Sequence, residues 1–151
     1  MKINVYSVEK NQDLYVKNLN EEYIKMCLRY ANLSDEVVFN KNIAKAQVLG
    51  EDEARGSYTK YFLPYLDGFC VSLDSSGEML DSYEFAKMLK NKSKINFFIG
   101  GAYGFEKAFL SKTQRVISLS KLIYAHKIAK LVLFEQIYRG LSILNNHPYH
   151  K

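Results

Sequence analysis

The sequence is poor in the residues that mark crosslinks, metal sites and linkers. It has two cysteines and two prolines among 151 residues. Cys27 and Cys70 lie far apart and fit neither a C-x-x-C motif nor a zinc-ligand spacing, so we expect both to be buried as small apolar side chains. No low-complexity segment or internal repeat marks a boundary. We therefore expect one domain that spans residues 1–151.

Long apolar runs are also missing. No stretch approaches the roughly 18 residues that a membrane-spanning helix needs. The N-terminal residues Met1 to Tyr6 have the pattern of a β-strand and not that of a signal peptide. These absences predict a cytoplasmic protein without membrane contact.

The composition is that of a folded protein with an uneven charge distribution. Hydrophobic residues make up 48% of the chain and aromatic residues 14%, far from a disordered composition. Residues 1–85 hold 9 Lys and Arg against 14 Asp and Glu, whereas residues 86–151 hold 12 against 2. Such one-sided charge favours a polyanionic partner such as a nucleic acid. The alternative is a lysine-rich face that only keeps the protein in solution.

The pattern of apolar residues predicts alternating strands and helices. Asp81 and Glu84 form a plausible capping box for a helix, and a long apolar helix is predicted from about His126 to Asn145. We expect an α/β fold with a mostly parallel sheet flanked by helices. The predicted strands are Lys2 to Val8, Val37 to Phe39, Phe69 to Leu73, Ile95 to Ile99, and Arg115 to Leu119.

The last helix is apolar around much of its circumference. A stripe that wide exceeds what one sheet face needs, which favours burial against a second copy of the chain as well. A helix that is deeply buried within its own subunit is the alternative, and the pattern alone does not separate the two.

A glycine-rich turn is the first candidate for a binding site. The strand Ile95 to Ile99 is followed by Gly100-Gly101-Ala102-Tyr103-Gly104 and then by a helix-compatible stretch. Glycines permit a positive φ and let a ligand approach main-chain N–H groups. The spacing matches neither G-x-G-x-x-G nor a P-loop, and the turn comes too late in the chain for an ordinary dinucleotide-binding unit. A sharp strand-to-helix connection without a ligand is the alternative.

Two further segments carry all three histidines. They are the stretch from Ser118 to His126 and the tail from Asn145 to Lys151. Without a nearby carboxylate cluster these histidines are a poor metal site, and we expect no metal. A short polar tail is usually frayed. Here it follows a long apolar helix directly, so we expect it to be pinned beside that helix, where its residues could line a site.

Four motifs in this order resemble a known family. They are Ile99 to Gly104, Leu119 to His126, Glu135 to Arg139 and the ending His147-Pro148-Tyr149-His150-Lys151. The chain resembles the RlmH family of bacterial 23S ribosomal RNA pseudouridine N3-methyltransferases, in the SPOUT superfamily. It departs from the family pattern at Glu9, at Ala102 and Tyr103, and at Ala125.

The resemblance implies a fold, a cofactor and a substrate. The fold is a SPOUT-type α/β domain with a trefoil knot, which general topology rules make improbable in advance. The protein is expected to act as a homodimer that transfers a methyl group from S-adenosylmethionine to N3 of a pseudouridine. The expected partner is 23S rRNA in the large subunit or the assembled ribosome. The cofactor contacts implied are Leu73, Gly100, Gly101, Leu119, Ser120, Lys121, Leu122, Ile123 and Tyr124.

The same resemblance suggests four residues around the target base. We expect His126 to contact the substrate, with capping of the last helix as the alternative role. Arg139 would bind a phosphate or a developing oxyanion, or else form a structural or inter-subunit pair. Tyr149 would stack on the nucleotide, and His150 is assigned as the general base.

Five lysines would supply part of the RNA-facing charge: Lys107, Lys112, Lys121, Lys127 and Lys130. The competing class of function is a ribosome- or RNA-binding factor that kept the methyltransferase fold without turnover. The sequence leaves open which subunit supplies the tail to each cleft.

Overall fold

A five-stranded parallel sheet with helices on both faces forms the protein, as described by a computed structural model that covers all 151 residues. The strands are β1 Lys2–Val8, β2 Asn32–Val38, β3 Phe69–Met79, β4 Lys94–Ile99 and β5 Arg115–Ser118. The helices are α1 Leu14–Cys27, α2 Lys41–Leu49, α3 Glu51–Phe62, α4 Ser82–Leu89, α5 Lys107–Leu110 and α6 His126–Leu144, with a short 3₁₀ turn at Leu63–Tyr65. None of these helices combines the length and the hydropathy needed to span a bilayer.

The strands follow the order β2-β1-β4-β3-β5, and every neighbouring pair is parallel. The predicted α/β class and mostly parallel sheet are therefore confirmed. The prediction for β2 was too short, because the strand begins at Asn32 and its polar residues Ser34 to Glu36 conceal it. The capping box of Asp81 and Glu84 is present at the start of α4.

Alternate side chains of the central strands supply two apolar cores. Val5 and Phe97 face the core beneath α1, α4 and α6, whereas Tyr6 and Phe98 face the core beneath α2, α3 and α5. The two cysteines are buried, as predicted, one in each core.

Helix α6 packs against α1 on one side and α4 on the other. A Cβ at Gly140 would lie 3.0 Å from Leu89 Cδ1, so α6 and α4 are in close contact at this point. Much of the wide apolar stripe is therefore buried within the subunit. Burial against a second copy stays a prediction.

The structure contradicts the prediction that Lys130 faces RNA. Its side chain is only 1% exposed, and its Nζ lies 2.7 Å from Asp35 Oδ1 and 3.1 Å from Glu9 Oε1. Ser7 Oγ is 3.2 Å away. Burial raises the pKa of the Asp35 carboxyl, and Lys130 opposes that shift. The sequence could not reveal this cluster, because its members come from β1, β2, α6 and the loop after β1.

Replacing Lys130 should destabilise the fold far more than replacing Lys127, which is on the same helix. Lys130→Met leaves two carboxylates without their buried cation, and we expect a loss of about 3–5 kcal/mol in the free energy of unfolding. Lys127 pairs with Asp13 at 3.0 Å on the surface, so Lys127→Met should change little. Urea unfolding of both variants measures the difference, and equal effects would contradict the assigned role of the cluster.

Candidate functional site

An open cleft of about 550 Å³ lies at the carboxyl ends of β3, β4 and β5. Ligands of α/β proteins bind at this edge of the sheet, and the volume suits a small organic molecule. Three chain segments line the cleft. They are residues 73–75, residues 99–105, and residues 117–129 except 121, 127 and 128. Arg55 of α3 completes the lining.

The glycine turn forms the floor of the cleft by close main-chain approach. A Cβ at Gly100 would lie 3.0 Å from the backbone of Gly104, and one at Gly101 would lie 2.6 Å from Tyr58 Oη. Among the three glycines of this turn, only Gly104 has a positive φ, +68°. The expectation of a positive φ is therefore confirmed at Gly104. Gly100 and Gly101 are glycines for another reason, which is that a Cβ would not fit there.

Helix α3 supports this turn from behind. Tyr58 is fully buried and accepts a hydrogen bond of 2.7 Å from Gln47 Nε2, which fixes its position. Burial raises the pKa of the Tyr58 phenol, so the group keeps its proton. Arg55 Nε donates a hydrogen bond of 2.7 Å to the carbonyl oxygen of Tyr103. Neither Tyr58 nor Arg55 was predicted from the sequence, since both lie more than 40 positions before the turn.

A bulge in β3 brings Asp74 and Ser75 to the cleft. Leu73 and Glu78 both pair with Ile117, so the residues between them leave the sheet. The bulge depends on Gly77, where a Cβ would lie 2.5 Å from the Ile117 carbonyl carbon. Asp74 Oδ1 accepts hydrogen bonds from the N–H (2.9 Å) and the hydroxyl (2.6 Å) of Ser76. Bulges near functional sites often redirect side chains in this way.

The loop after β5 forms the opposite wall. Ser118 Oγ donates to the Ser120 carbonyl oxygen at 2.8 Å, and Ser120 Oγ accepts from the Leu122 N–H at 3.0 Å. These bonds hold a tight loop from which Leu122 and Ile123 project, 72% and 88% exposed. Such exposure of two apolar side chains beside a cleft favours a ligand or a partner that covers them.

Eight of the nine residues proposed as cofactor contacts line this one cleft. They are Leu73, Gly100, Gly101, Leu119, Ser120, Leu122, Ile123 and Tyr124. Lys121 is exposed and does not line it. Contact with a cofactor stays a prediction for the eight.

Only one of the four residues expected around the target base lines the cleft. His126 does so as the first residue of α6. It does not cap the helix, because the N-cap position is Ala125 and no side chain bonds to the first turn. The alternative capping role is therefore excluded.

The other three residues form a separate cluster on Glu135. Arg139 Nε donates to Glu135 Oε1 at 2.9 Å, Tyr149 Oη donates to the same oxygen at 3.0 Å, and Arg139 Nη1 lies 3.2 Å from His150 Nδ1. The Glu135 hydrogen bond raises the pKa of Arg139, while burial is the main cause that raises the pKa of Tyr149. The tail is thus pinned beside α6, as predicted.

This tail cluster lies far from the cleft. Arg139 is 13 residues after His126 on α6, which corresponds to roughly 20 Å along a helix axis. None of its three members lines the cleft. The fold of one chain therefore does not bring the four predicted residues together.

The basic half of the sequence is partly neutralised in space. Five Lys or Arg side chains of residues 86–151 form ion pairs, and four of these five pair with Asp or Glu from residues 1–85. Lys107, Lys112 and Lys121 remain exposed without an ion pair. No group of three or more His, Cys, Asp or Glu side chains is placed to hold a metal.

Comparison with known proteins gives one consistent family. The model described as "Predicted SPOUT methyltransferase" matches residues 1–150. Proteins named "Ribosomal RNA large subunit methyltransferase H" are 52% identical in Campylobacter concisus and 49% in Aliarcobacter butzleri, over 100% of both chains. One from Campylobacter hominis is 51% identical over 97% of both chains. A solved putative RNA methyltransferase from Bacillus anthracis aligns over 98% of this chain and 96% of its own, with a TM-score of 0.49 and 13% identity.

Of two substitutions in the glycine turn, the smaller should be the more damaging. Gly101→Ala places a methyl group against the buried, hydrogen-bonded Tyr58 side chain, and we expect a loss of about 1–3 kcal/mol in unfolding free energy. Gly104→Asn adds more atoms but keeps a residue that tolerates positive φ, with its Cβ 3.9 Å from Asp74 Oδ2. Thermal unfolding of the two variants compares them. A larger loss for Gly104→Asn would show that backbone conformation, and not close approach, governs the turn.

Proposed function

The chain belongs to the SPOUT methyltransferase family, and we propose that it transfers the methyl group of S-adenosylmethionine to N3 of a pseudouridine in 23S rRNA. The observation that carries this proposal is the cleft, which joins the glycine turn to the loop of residues 119–126. The relatives that match the whole chain are named as methyltransferases of large-subunit ribosomal RNA.

The residues of the cleft fit S-adenosylmethionine. Gly100 and Gly101 line the cleft with main chain, which can offer hydrogen-bonding groups to a purine nucleoside. Leu73, Leu122 and Ile123 provide apolar walls for the adenine. When bound, the cofactor supplies a methyl group that is activated by the adjacent sulfonium.

The protein's own task is to orient the target base and to remove its proton. The N3–H of a uracil ring is a weak acid, so a nearby base or a cation that stabilises the anion increases the rate. Imidazole exchanges a proton near neutral pH, and His126 is the one histidine at the cleft. Because His150 does not line the cleft, we assign the role of accepting the N3 proton to His126 in place of His150.

A homodimer would bring the tail cluster to the cleft. The Asp13–Lys127 ion pair places the start of α1 beside the start of α6, next to the cleft. Exposed apolar side chains gather in this region, among them Leu14 and Tyr15 on α1 and Ile128 on α6. Covering them with a second copy would bury apolar surface, and it would explain how Arg139, Tyr149 and His150 can act although they lie away from their own cleft.

The lysines and the size of the protein favour an assembled RNA surface as substrate. Lys107 follows the glycine turn after β4 and Lys121 follows β5, so both come after strands that end at the cleft, whereas Lys112 precedes the amino end of β5 and lies toward the other edge of the sheet. All three are exposed and free to contact phosphate. Residues 1–151 form one five-stranded sheet with its flanking helices, without a second folded unit among them. Recognition would then depend on the shape that the folded rRNA and its proteins present.

Methyl incorporation from labelled S-adenosylmethionine tests the proposed function. Unmethylated ribosomes and large subunits, compared with naked 23S rRNA, should accept one methyl group on N3 of a single pseudouridine, located by nuclease digestion and mass spectrometry. We expect naked RNA to be the poorest substrate, because it lacks the assembled surface. Cofactor binding with no labelled RNA in any preparation would instead support a non-catalytic RNA-binding factor.

Mixed dimers test whether the tail acts on the partner's cleft. One subunit carries His126→Ala and the other Arg139→Gln with His150→Ala, and each variant alone should be nearly inactive. If the tail acts across the dimer, a random mixture has one intact site in each heterodimer and recovers about one quarter of wild-type activity. If each tail serves its own subunit, the mixture stays as inactive as its components.

A further inference from the structure

Two side chains of opposite charge, Arg55 and Asp74, lie near the same corner of the glycine turn without forming an ion pair. Arg55 is the only Lys or Arg that lines the cleft, and Asp74 is the only Asp or Glu. We propose that they hold the amino-acid end of the methyl donor, with Arg55 on its carboxylate and Asp74 on its ammonium group. This inference rests on the proposed function and assigns the part of the donor that lies beyond its adenosine.

Asp74 has one oxygen available for a ligand. Its Oδ1 accepts both hydrogen bonds from Ser76, which hold the carboxylate in a fixed orientation. Its Oδ2 accepts none and lies 3.9 Å from the position that a Cβ on Gly104 would occupy. A preoriented carboxylate with a free oxygen, held at the bulge of β3, is suited to accept a hydrogen bond from an ammonium group.

Arg55 reaches the same corner from α3. Its Nε donates to the carbonyl oxygen of Tyr103, the residue directly before Gly104. One Nη2 proton reaches Glu51 at 3.3 Å, so three of the five guanidinium protons make no hydrogen bond. These remaining donors form a planar fork of the kind that binds carboxylates.

The two groups do not neutralise each other. Arg55 pairs with Glu51 at 3.3 Å and with Asp52 at 3.8 Å, and not with Asp74. Glu51 and Asp52 are 64% and 97% exposed, so these pairs are weak and a ligand carboxylate can compete with them. Separated charges of opposite sign on one wall match a zwitterion, because an α-amino acid presents its carboxylate and its ammonium group side by side.

Truncated ligands identify which part of the donor each residue binds. Calorimetric titration of the full-length protein would use S-adenosylhomocysteine, its decarboxylated analogue, and methylthioadenosine, which lacks the whole amino-acid end. Arg55→Gln and Asp74→Asn should each weaken S-adenosylhomocysteine binding by about 10-fold or more, as expected when a charge-assisted hydrogen bond is lost. Binding of methylthioadenosine should stay unchanged in both variants, which also reports an intact cleft.

The decarboxylated analogue separates the two residues. It keeps the ammonium group, so Asp74→Asn should weaken its binding whereas Arg55→Gln should not. Asp52→Asn is the matched control, because it alters the surroundings of Arg55 without touching the cleft, and it should leave all three affinities near their wild-type values.

Two results would overturn this inference. One is an equal loss of affinity for methylthioadenosine, which would mean that the pair only shapes the turn. The other is undiminished binding of S-adenosylhomocysteine to both variants. If the wild-type protein binds none of the three ligands, the proposed function itself fails, which is a distinct outcome from either of these.

Discussion

The shape of the cleft depends on three glycines whose main chain lies so close to neighbouring atoms that a Cβ would not fit. Gly77 crosses the backbone of Ile117, Gly100 folds onto Gly104, and Gly101 rests on the ring of Tyr58. Each contact fixes one wall: the bulge of β3, the corner of the turn and its floor. Because protein interiors are packed at near-crystalline density, a shift at any one of these points must displace the others. The polar groups around them are therefore held in place by packing as well as by hydrogen bonds.

The regular elements of the fold were predictable from local pattern. Strand β1, the end of β4, the start of β5, the capping box of α4 and the extent of α6 follow from alternation, helical spacing and capping chemistry. The polar start of β2 could not be predicted in this way, because β2 lies at the edge of the sheet, where the alternation of apolar and polar side chains is weak. The trefoil knot, implied only by family resemblance, stays a prediction.

The candidate site was predictable in part. The glycine turn and the loop after β5 have recognisable sequence signals, and both line the cleft. Arg55 and Asp74 gave no signal, because one arrives through the packing of α3 and the other through a bulge. The summed charge of residues 86–151 overstates the unpaired positive charge for the same reason: Lys130 and Lys127 pair with carboxylates from distant segments, and only the fold brings them together.

The cluster of Lys130, Glu9 and Asp35 also limits how this sequence can diverge. Lys130 pairs with two carboxylates in a site with little exposure to solvent. The contribution of each member to the free energy of unfolding therefore depends on the presence of the others. A change at one position alone leaves an unbalanced charge in the interior, whereas a concerted exchange for apolar side chains of similar volume can leave the fold intact. Natural variants of this protein should therefore alter these three positions jointly, as a covarying set, while the surface pair Asp13 and Lys127 drifts independently.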